Sequence, residues 1–294
     1  MHSSFVRFRR IVMGHYRAHG RHSLPWRTTH DPYRILVSEL MLQQTQVPRV
    51  IPKYREFIRR FPDFRVLARA PLADVLRAWQ GLGYNRRALY LKRIAENVVQ
   101  DYNGKLPRDP DILRTLPGIG TNTAGSIAAF AFNVPALFIE TNIRRAFIHY
   151  FFPKRRLVQD ATLLPLVQRS LVGQTPREWY SALMDYGAYL GEMLPKTANP
   201  NRRSKHYTRQ AKFEGSIRQV RGAILKLLLR HPMDASALYN VTKDIRTPIA
   251  LRKLIEEGMV VSRGGTYRIA GLRVYTEYHT ALKRPVSAPR HIQQ

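Results

Sequence analysis

Apolar residues recur at helical intervals through most of the first 190 positions. Phe5, Phe8, Val12, Tyr16 and Ala18 form one such series, which predicts a folded first helix with a buried face. From Pro32 to about Leu190 the pattern stays helical, broken at Phe61-Pro62, Ala70-Pro71, Gly81-Leu82-Gly83, Leu106-Pro107, Pro117-Gly118-Ile119-Gly120, Val134-Pro135 and Gln174-Thr175-Pro176. Strand-like alternation is absent there, so the pattern predicts an all-α domain of packed short helices. Composition shifts between Pro195 and Lys212, where cations abound and large apolar residues almost vanish; this reads as a linker or an ordered basic loop. Beyond it, Ser216 to Arg230 reads as an amphipathic helix, and Asp234 to Asn240 and Thr247 to Glu257 as shorter ones. MVVSRGGTYRIA then reads as two strands around Gly264-Gly265, a hairpin signal. Three helices followed by a hairpin is the order of a winged helix-turn-helix. Leu272 to Gln294 reads as a basic, poorly ordered tail.

Charge changes the picture. The 294 residues carry 49 Lys+Arg against 20 Asp+Glu, a net charge of +29, which points to a polyanionic partner. The length suits roughly two domains, and a hydrophobic fraction of 44% supplies a core and excludes wholesale disorder. With no cysteine there is no disulfide, thiolate nucleophile, iron–sulfur cluster or Cys-based zinc site. The apolar stretch from Ile127 to Ile139 is broken by Asn133 and Pro135 and falls short of the roughly 20 residues a bilayer needs. A soluble, cytoplasmic, nucleoid-associated protein is expected. The first thirty residues lack acids and could pass for an organellar transit peptide, but the helical series favours a folded element.

The sharpest local signal is LPGIGTNTAGSIAAFAF, Leu116 to Phe132: a helix end, a Pro-Gly-x-Gly turn and a second helix opened by small residues. Such a turn aims consecutive N–H groups and a helix N-terminus at one spot, which suits a phosphate. It is not a dinucleotide fingerprint, because Thr123 takes the third glycine position and no strand precedes it. Among the scarce acids, Glu39 follows Ile35 and Leu36 at helical spacing, beside the apolar face. Partial desolvation there raises a carboxyl pKa and lets it hold a proton near neutrality. Glu140 ends the run ALFIE at a loop-to-helix junction, where the helix dipole favours the ionised form. One acid that protonates a leaving group and one anion that stabilises an oxocarbenium is the division that glycosidic cleavage requires. His15 and His19 read as a solvated helix surface, and Met41-Leu42 beside Gln43-Gln44 as core plus polar rim. Arg59-Arg60, Arg86-Arg87, Lys154-Arg155-Arg156 and Arg202-Arg203 read as phosphate-neutralising clusters.

LPWR (24–27), SELMLQQTQV (38–47), WQGLGYNRRA (79–88), LPGIGTNTAGSIAAF (116–130), IETNIRR (139–145) and ALMDYGAYLG (182–191) stand in this order, and together they resemble the helix-hairpin-helix DNA glycosylases of the endonuclease III-like superfamily. Among these the chain is most similar to the adenine DNA glycosylases that act opposite 8-oxoguanine. The resemblance spans roughly residues 5 to 195. It implies a two-lobed all-α glycosylase domain (1–195); beyond it the residue pattern itself gives a basic linker or loop at 196–212 in place of the family's iron–sulfur loop, a small winged helix-turn-helix domain (213–271) where the family's usual C-terminal domain that recognises 8-oxoguanine is not evident, and a basic tail (272–294). It also implies a mismatch-containing or damaged double-stranded DNA partner, a flipped base, a monomer, no membrane, and no cofactor. Glu39 matches the family's general acid. Glu140 takes the place of its catalytic Asp, one methylene longer, and Asn142 and Tyr84 match further active-site positions. Gln44 resembles the glutamine inserted into the base stack, with Gln43 beside it. The hairpin residues Gly118, Gly120 and Thr121 resemble the backbone-gripping turn, whose carbonyls near Leu116 and Ile119 could hold a monovalent cation. Asn122 stands where bifunctional relatives carry a lysine nucleophile, so no Schiff base is expected.

Ser181 stands where adenine-specific members often carry Gln or Glu, and Arg27 corresponds to a position near the adenine edge. Adenine with weakened discrimination is therefore expected, with thymine or uracil opposite guanine, or a non-catalytic DNA-binding protein, as alternatives. The winged helix is expected to add electrostatic affinity through Arg218, Arg221, Lys226, Arg246 and Arg263, and little base choice.

Overall fold

A computed structural model describes residues 2–208 and 212–271; the tail expected at 272–294 lies outside the described residues. Helix α1 (His2–His19) buries Phe5, Phe8, Val12 and Tyr16. Ala18 departs from the expected face and is exposed, because two positions past Tyr16 lies on the far side of a 3.6-residue repeat. His15 also departs from its solvated reading: its ring packs 4.6 Å from Tyr189 and 5.7 Å from Tyr186.

The first lobe stacks α2 (Pro32–Leu42), α3 (Val47–Arg60), α4 (Phe64–Arg69), α5 (Leu72–Trp79), α6 (Arg86–Asp101), α7 (Pro110–Thr115) and α8 (Thr121–Phe132) around Leu36, Phe57, Trp79 and Ile94. Its helices start by a shared local rule. Asp31, Asp63 and Asp109 each accept a backbone N–H of the helix that follows, from Tyr33, Val66 and Asp111, and Pro32 and Pro110 occupy first-turn positions whose N–H needs no partner. The second lobe joins α1 to α9 (Thr141–Phe151), α10 (Asp160–Leu171) and α11 (Pro176–Met193) around Phe8, Phe138, Phe147, Trp179 and Tyr180. The all-α reading of this span holds among the described residues.

The described residues 196–205 of the basic segment form an ordered loop. Two 3-10 turns, Lys196–Ala198 and Pro200–Arg203, are followed by backbone pairing with Val158, whose N–H donates to the Arg203 carbonyl at 2.7 Å and whose carbonyl accepts from Lys205 at 2.9 Å. Asn201 is buried and its Nδ2 donates to the Thr141 carbonyl at 2.9 Å, pinning the loop to the start of α9.

The C-terminal unit runs α12 (Ile217–Leu228), β1 (Met233–Asp234), α13 (Ala235–Thr242), α14 (Thr247–Glu256), β2 (Val260–Arg263) and β3 (Thr266–Ile269). The strands form an antiparallel sheet in the order β1-β3-β2. Gly264 (φ 56°) and Gly265 (φ 76°) supply the left-handed pair that a tight hairpin turn needs. Strand β1 escaped the sequence pattern because two residues carry no alternation. Val220, Ile224, Leu228 and Leu254 bury against the first lobe's core, and Arg77 Nη2 donates to the Leu229 carbonyl at 3.1 Å. The unit is thus docked on the first lobe.

One contact between α11 and α9 tolerates no side chain: a Cβ on Gly187 would stand 2.1 Å from the Asn142 carbonyl oxygen. Gly187→Ala is therefore expected to lower unfolding free energy by about 2–3 kcal/mol, as overpacking does. Gly14→Ala, with open space around the new methyl, is expected to raise it by about 0.5–1 kcal/mol. Urea denaturation of the two variants checks both signs.

Candidate active site

A pocket of ≈ 1190 Å³ opens at the seam of the two lobes, and both singled-out glutamates line it. Glu39 arrives on the last turn of α2. Its Oε2 accepts from the Ser126 hydroxyl at 2.6 Å, a bond that reaches it from α8. Burial pushes the Glu39 carboxyl up to about 7, and the charge of Glu140 pushes the same way; the Ser126 bond and Arg27 oppose this without reversing it. A group balanced near neutrality can deliver a proton.

Glu140 caps α9 from the other lobe. Its Oε1 accepts the N–H groups of Asn142 at 2.7 Å and Ile143 at 2.9 Å. The helix-start expectation is half right: those two bonds, with Arg144 and Arg145, do favour the anion, but burial outweighs them and the net shift is upward. Asn142 lies beside it, with Nδ2 3.4 Å from Glu140 Oε2 and Oδ1 accepting from Arg145 Nη1 at 2.8 Å. Arg145 also donates to the Gly187 carbonyl at 2.5 Å and to Asn199 Oδ1 at 3.3 Å, so α11 and the basic loop both fix the start of α9.

The hairpin α7–α8 turns at Gly118, whose φ is 77°. A Cβ there would also lie 2.2 Å from Tyr90 Cδ2, so glycine is required twice over. Gly120 is the N-cap of α8, and Thr121 and Asn122 expose that helix's first turn. Asn122 lines the pocket, and its Oδ1 accepts from the Ile139 N–H at 3.2 Å, which ties the hairpin to the segment preceding Glu140. The Leu116 carbonyl accepts from the Ile119 N–H at 3.2 Å, so a cation held there would share that oxygen with the turn's own bond. Among the described residues no cluster of His, Asp or Glu could hold a metal ion, and no helix is long and apolar enough to cross a membrane.

Arg27 and Ser181 both line the pocket. The Arg27 guanidinium forks onto Asp185, at 2.5 Å and 2.9 Å, so its two outer nitrogens already serve a buried carboxylate. Arg21 adds a side-chain bond of 2.6 Å to the same group. The paired arginines hold Asp185 below the usual carboxylate range despite its burial. Ser181 is buried, and its carbonyl is 3.4 Å from Arg27 Nη2.

Gln43, Gln44 and Tyr84 line the pocket's side. Gln43 Nε2 donates to Thr123 Oγ1 at 3.2 Å. Gln44 (φ 54°) and Tyr84 (φ 46°) both adopt left-handed backbone. Arg87 holds them there. Its Nη1 donates to the carbonyls of Leu40, Met41 and Gln43 at 2.8, 2.9 and 2.6 Å, and its Nη2 donates to those of Leu82 and Gly83 at 3.2 and 3.0 Å. Burial lowers this guanidinium to about 10. The expected phosphate-neutralising role of Arg86-Arg87 is thus corrected: Arg87 is internal, and Arg86 pairs with Glu257. Arg203 is likewise turned inward, onto the Phe152 and Pro153 carbonyls. In the C-terminal unit, Arg221 pairs with Glu257, Arg246 with Asp244, and Arg218 with the Tyr84 hydroxyl. Lys226 and Arg263 remain exposed.

The sequence reading missed Asp185, Ser126 and Arg145, and gave Arg87 a different role. Asp185 left a trace, as a lone acid four residues after Ser181 in an otherwise apolar helix face; the others left none, because their partners are backbone carbonyls or residues distant in sequence.

A helical hairpin beside a two-carboxyl pocket at the junction of two lobes defines a class of base-excision DNA repair protein. The model of HhH-GPD superfamily base excision DNA repair proteins matches residues 37–163, and this chain belongs to that superfamily. The adenine DNA glycosylase of Mycolicibacterium smegmatis is 34% identical over 275 residues, covering 86% of this chain and 93% of that protein. The adenine DNA glycosylase of Buchnera aphidicola is 36% identical over 187 residues, or 62% of this chain, and the match spans about half (52%) of that protein's length. A thermostable thymine-DNA glycosylase structure superposes with a TM-score of 0.58 at 25% identity, over 70% of this chain and 97% of that one.

Arg87→Met keeps the stem and removes every donor, leaving several buried carbonyls unsatisfied. Each such loss costs on the order of 1–3 kcal/mol, so a drop of about 3 kcal/mol or more in unfolding free energy is expected. Chemical denaturation with tryptophan fluorescence as the signal measures it; a drop below about 1 kcal/mol would show that the carbonyls find other partners.

Proposed function

We propose that this chain is a monofunctional DNA glycosylase that acts as a monomer on mismatched double-stranded DNA and needs no cofactor. Its substrate is adenine opposite 8-oxoguanine or guanine. The observation that carries the reading is the pair of carboxyls in one desolvated pocket, with Glu39 titrating at about 7. The target base rotates out of the helix into the pocket. Glu39 gives its proton to a ring nitrogen of the base as the C1′–N bond breaks; the bonding electrons leave with the base, and the sugar becomes an oxocarbenium. Glu140 faces that cation. Its proton affinity, raised by burial, falls as positive charge develops beside it, so the anion stabilises the transition state more than the ground state. Asn142 and the α9 N–H groups aim the carboxylate. Water adds to C1′ and its proton passes to a carboxylate, which completes hydrolysis. The longer reach of Glu compared with Asp is matched by the close fixing of the helix start by Arg145 and Gly187.

The hairpin around Gly118, Gly120 and Thr121 grips the backbone, and Gln44 fills the gap in the stack. The C-terminal unit, read as a winged helix, contributes duplex affinity through Lys226 and Arg263. Thymine or uracil opposite guanine is a second reading, favoured by the similarity to the thymine-DNA glycosylase and by the short Ser181.

Single-turnover excision on duplexes bearing adenine, thymine or uracil mismatches decides between these substrates; binding without release of any base would leave a non-catalytic DNA-binding protein. Only the protonated Glu39 can donate and only the ionised Glu140 can stabilise the cation, so the excision rate constant is expected to fall about tenfold per unit above about pH 7 and to fall again on the acid side as Glu140, whose proton affinity burial raises, takes up a proton. Glu39→Gln should lose a hundred- to ten-thousandfold, roughly the value of general acid catalysis, with duplex affinity retained. Glu140→Gln should fail in the same assay and Glu140→Asp should retain activity.

No strand scission is expected without alkali, since Asn122 offers no amine. A borohydride-trapped adduct with the parent protein would overturn the monofunctional reading.

A further inference from the structure

Arg218 stands in the first turn of α12, in the C-terminal unit, yet it lines the pocket between the two lobes. Its Cζ lies 4.9 Å from the Tyr84 ring centroid, and Nη1 donates to Tyr84 Oη. The Cζ of Arg87 lies 5.5 Å from the same centroid. Tyr84 therefore sits on the pocket wall between two guanidinium groups, on a turn whose Gly83 carbonyl Arg87 holds.

A base delivered to Glu39 and Glu140 leaves a gap in the duplex, and the unpaired partner base stays behind at the mouth of the pocket. Tyr84 and Gln44, both on left-handed backbone, line that pocket. Two cations beside Tyr84 repel an approaching amino group and favour a carbonyl oxygen. On the major-groove edge guanine and 8-oxoguanine offer the keto O6, whereas cytosine offers its N4 amino group.

We propose that Arg218, acting with Tyr84, is a specificity-determining residue that selects a keto purine as the orphaned partner of the excised base. The C-terminal unit then shares in partner choice, contrary to the purely electrostatic role expected from its sequence. This rests on reading the pocket as a base-excision site.

The test uses the full chain and the variants Arg218→Met, Arg218→Lys, Tyr84→Phe and the Arg218→Met/Tyr84→Phe double variant. Adenine is placed opposite 8-oxoguanine, guanine or cytosine. Single-turnover rates are measured, with dissociation constants for matching duplexes that carry a non-cleavable 2′-fluoro adenosine. The preference for keto partners over cytosine is expected to fall about tenfold in Arg218→Met, to fall similarly in Tyr84→Phe, and to fall no further in the double variant, because the two residues act as one unit. Arg218→Lys should keep an intermediate preference, and it decides the matter if Arg218→Met unfolds. An equal fall on all three partners, or an unchanged preference, would overturn the proposal and leave Arg218 a docking contact. If the parent protein releases no base yet binds keto-partner duplexes preferentially, and Arg218→Met removes that preference, the excision reading fails while the role of Arg218 stands. An absence of partner preference in both rate and binding of the parent protein overturns the role of Arg218.

Discussion

The arrangement of the pocket depends on one buried cation. Arg87 reaches from the first turn of α6 to the carbonyls that end α2 and to those of the Gly81–Gly83 turn. The last carbonyls of a helix have no partners within it, and a cation at that end is favoured by the helix dipole. A guanidinium supplies five donors in a rigid plane, enough to serve both segments at once. The same group stacks near Trp79 and Tyr84. It therefore fixes, with one side chain, where Glu39's helix stops, where Gln43 and Gln44 depart from it and where Tyr84 faces. No acid is needed, since the charge is solvated by carbonyl dipoles.

The second carboxyl depends on a different kind of constraint, which is close approach. Gly187 lets α11 lie against the Asn142 backbone, and a Cβ on Gly191 would stand 2.5 Å from Arg145 Nη1. Arg145 fills the space so created and bonds to Asn142, Gly187 and Asn199. The cysteine-free basic loop completes this arrangement through Asn201, whose amide meets the Thr141 carbonyl. Its cations do not all face outward, and Arg203 closes the loop on the Phe152 and Pro153 carbonyls. In so basic a chain, arginine serves as a general-purpose partner for backbone oxygens as well as a surface charge. A count of cations therefore overstates the number available to phosphates.

The two lobes divide the chemistry because each carries one carboxyl on its own rigid core. Glu39 is brought by α2 and met by Ser126 of α8; Glu140 is brought by α9. In the proposed mechanism a base bound between them touches both lobes, and burial gives both acids raised proton affinity. The C-terminal unit, by sharing the first lobe's core, places Arg218 where a separately tethered domain could not hold it.

Helical periodicity and proline and glycine breaks were enough to place the helices, the hairpin turn and the C-terminal β-hairpin, because these depend on contacts within a few residues. Charge and the ordered motifs were enough to point to Glu39, Glu140, Asn142 and the Gly118–Asn122 turn, since each sits in a locally distinctive string. Tertiary structure alone decided which arginines face water. Arg87, Arg203 and Arg221 look like surface charges in sequence, and their partners lie as far as 51 residues away. It also decided that Arg27 is committed to Asp185, 158 residues on, and that Arg218 meets Tyr84 across 134 residues. The protonation balance of the two glutamates followed the same rule, because desolvation is set by the packing of elements distant in sequence and a local pattern carries no measure of it.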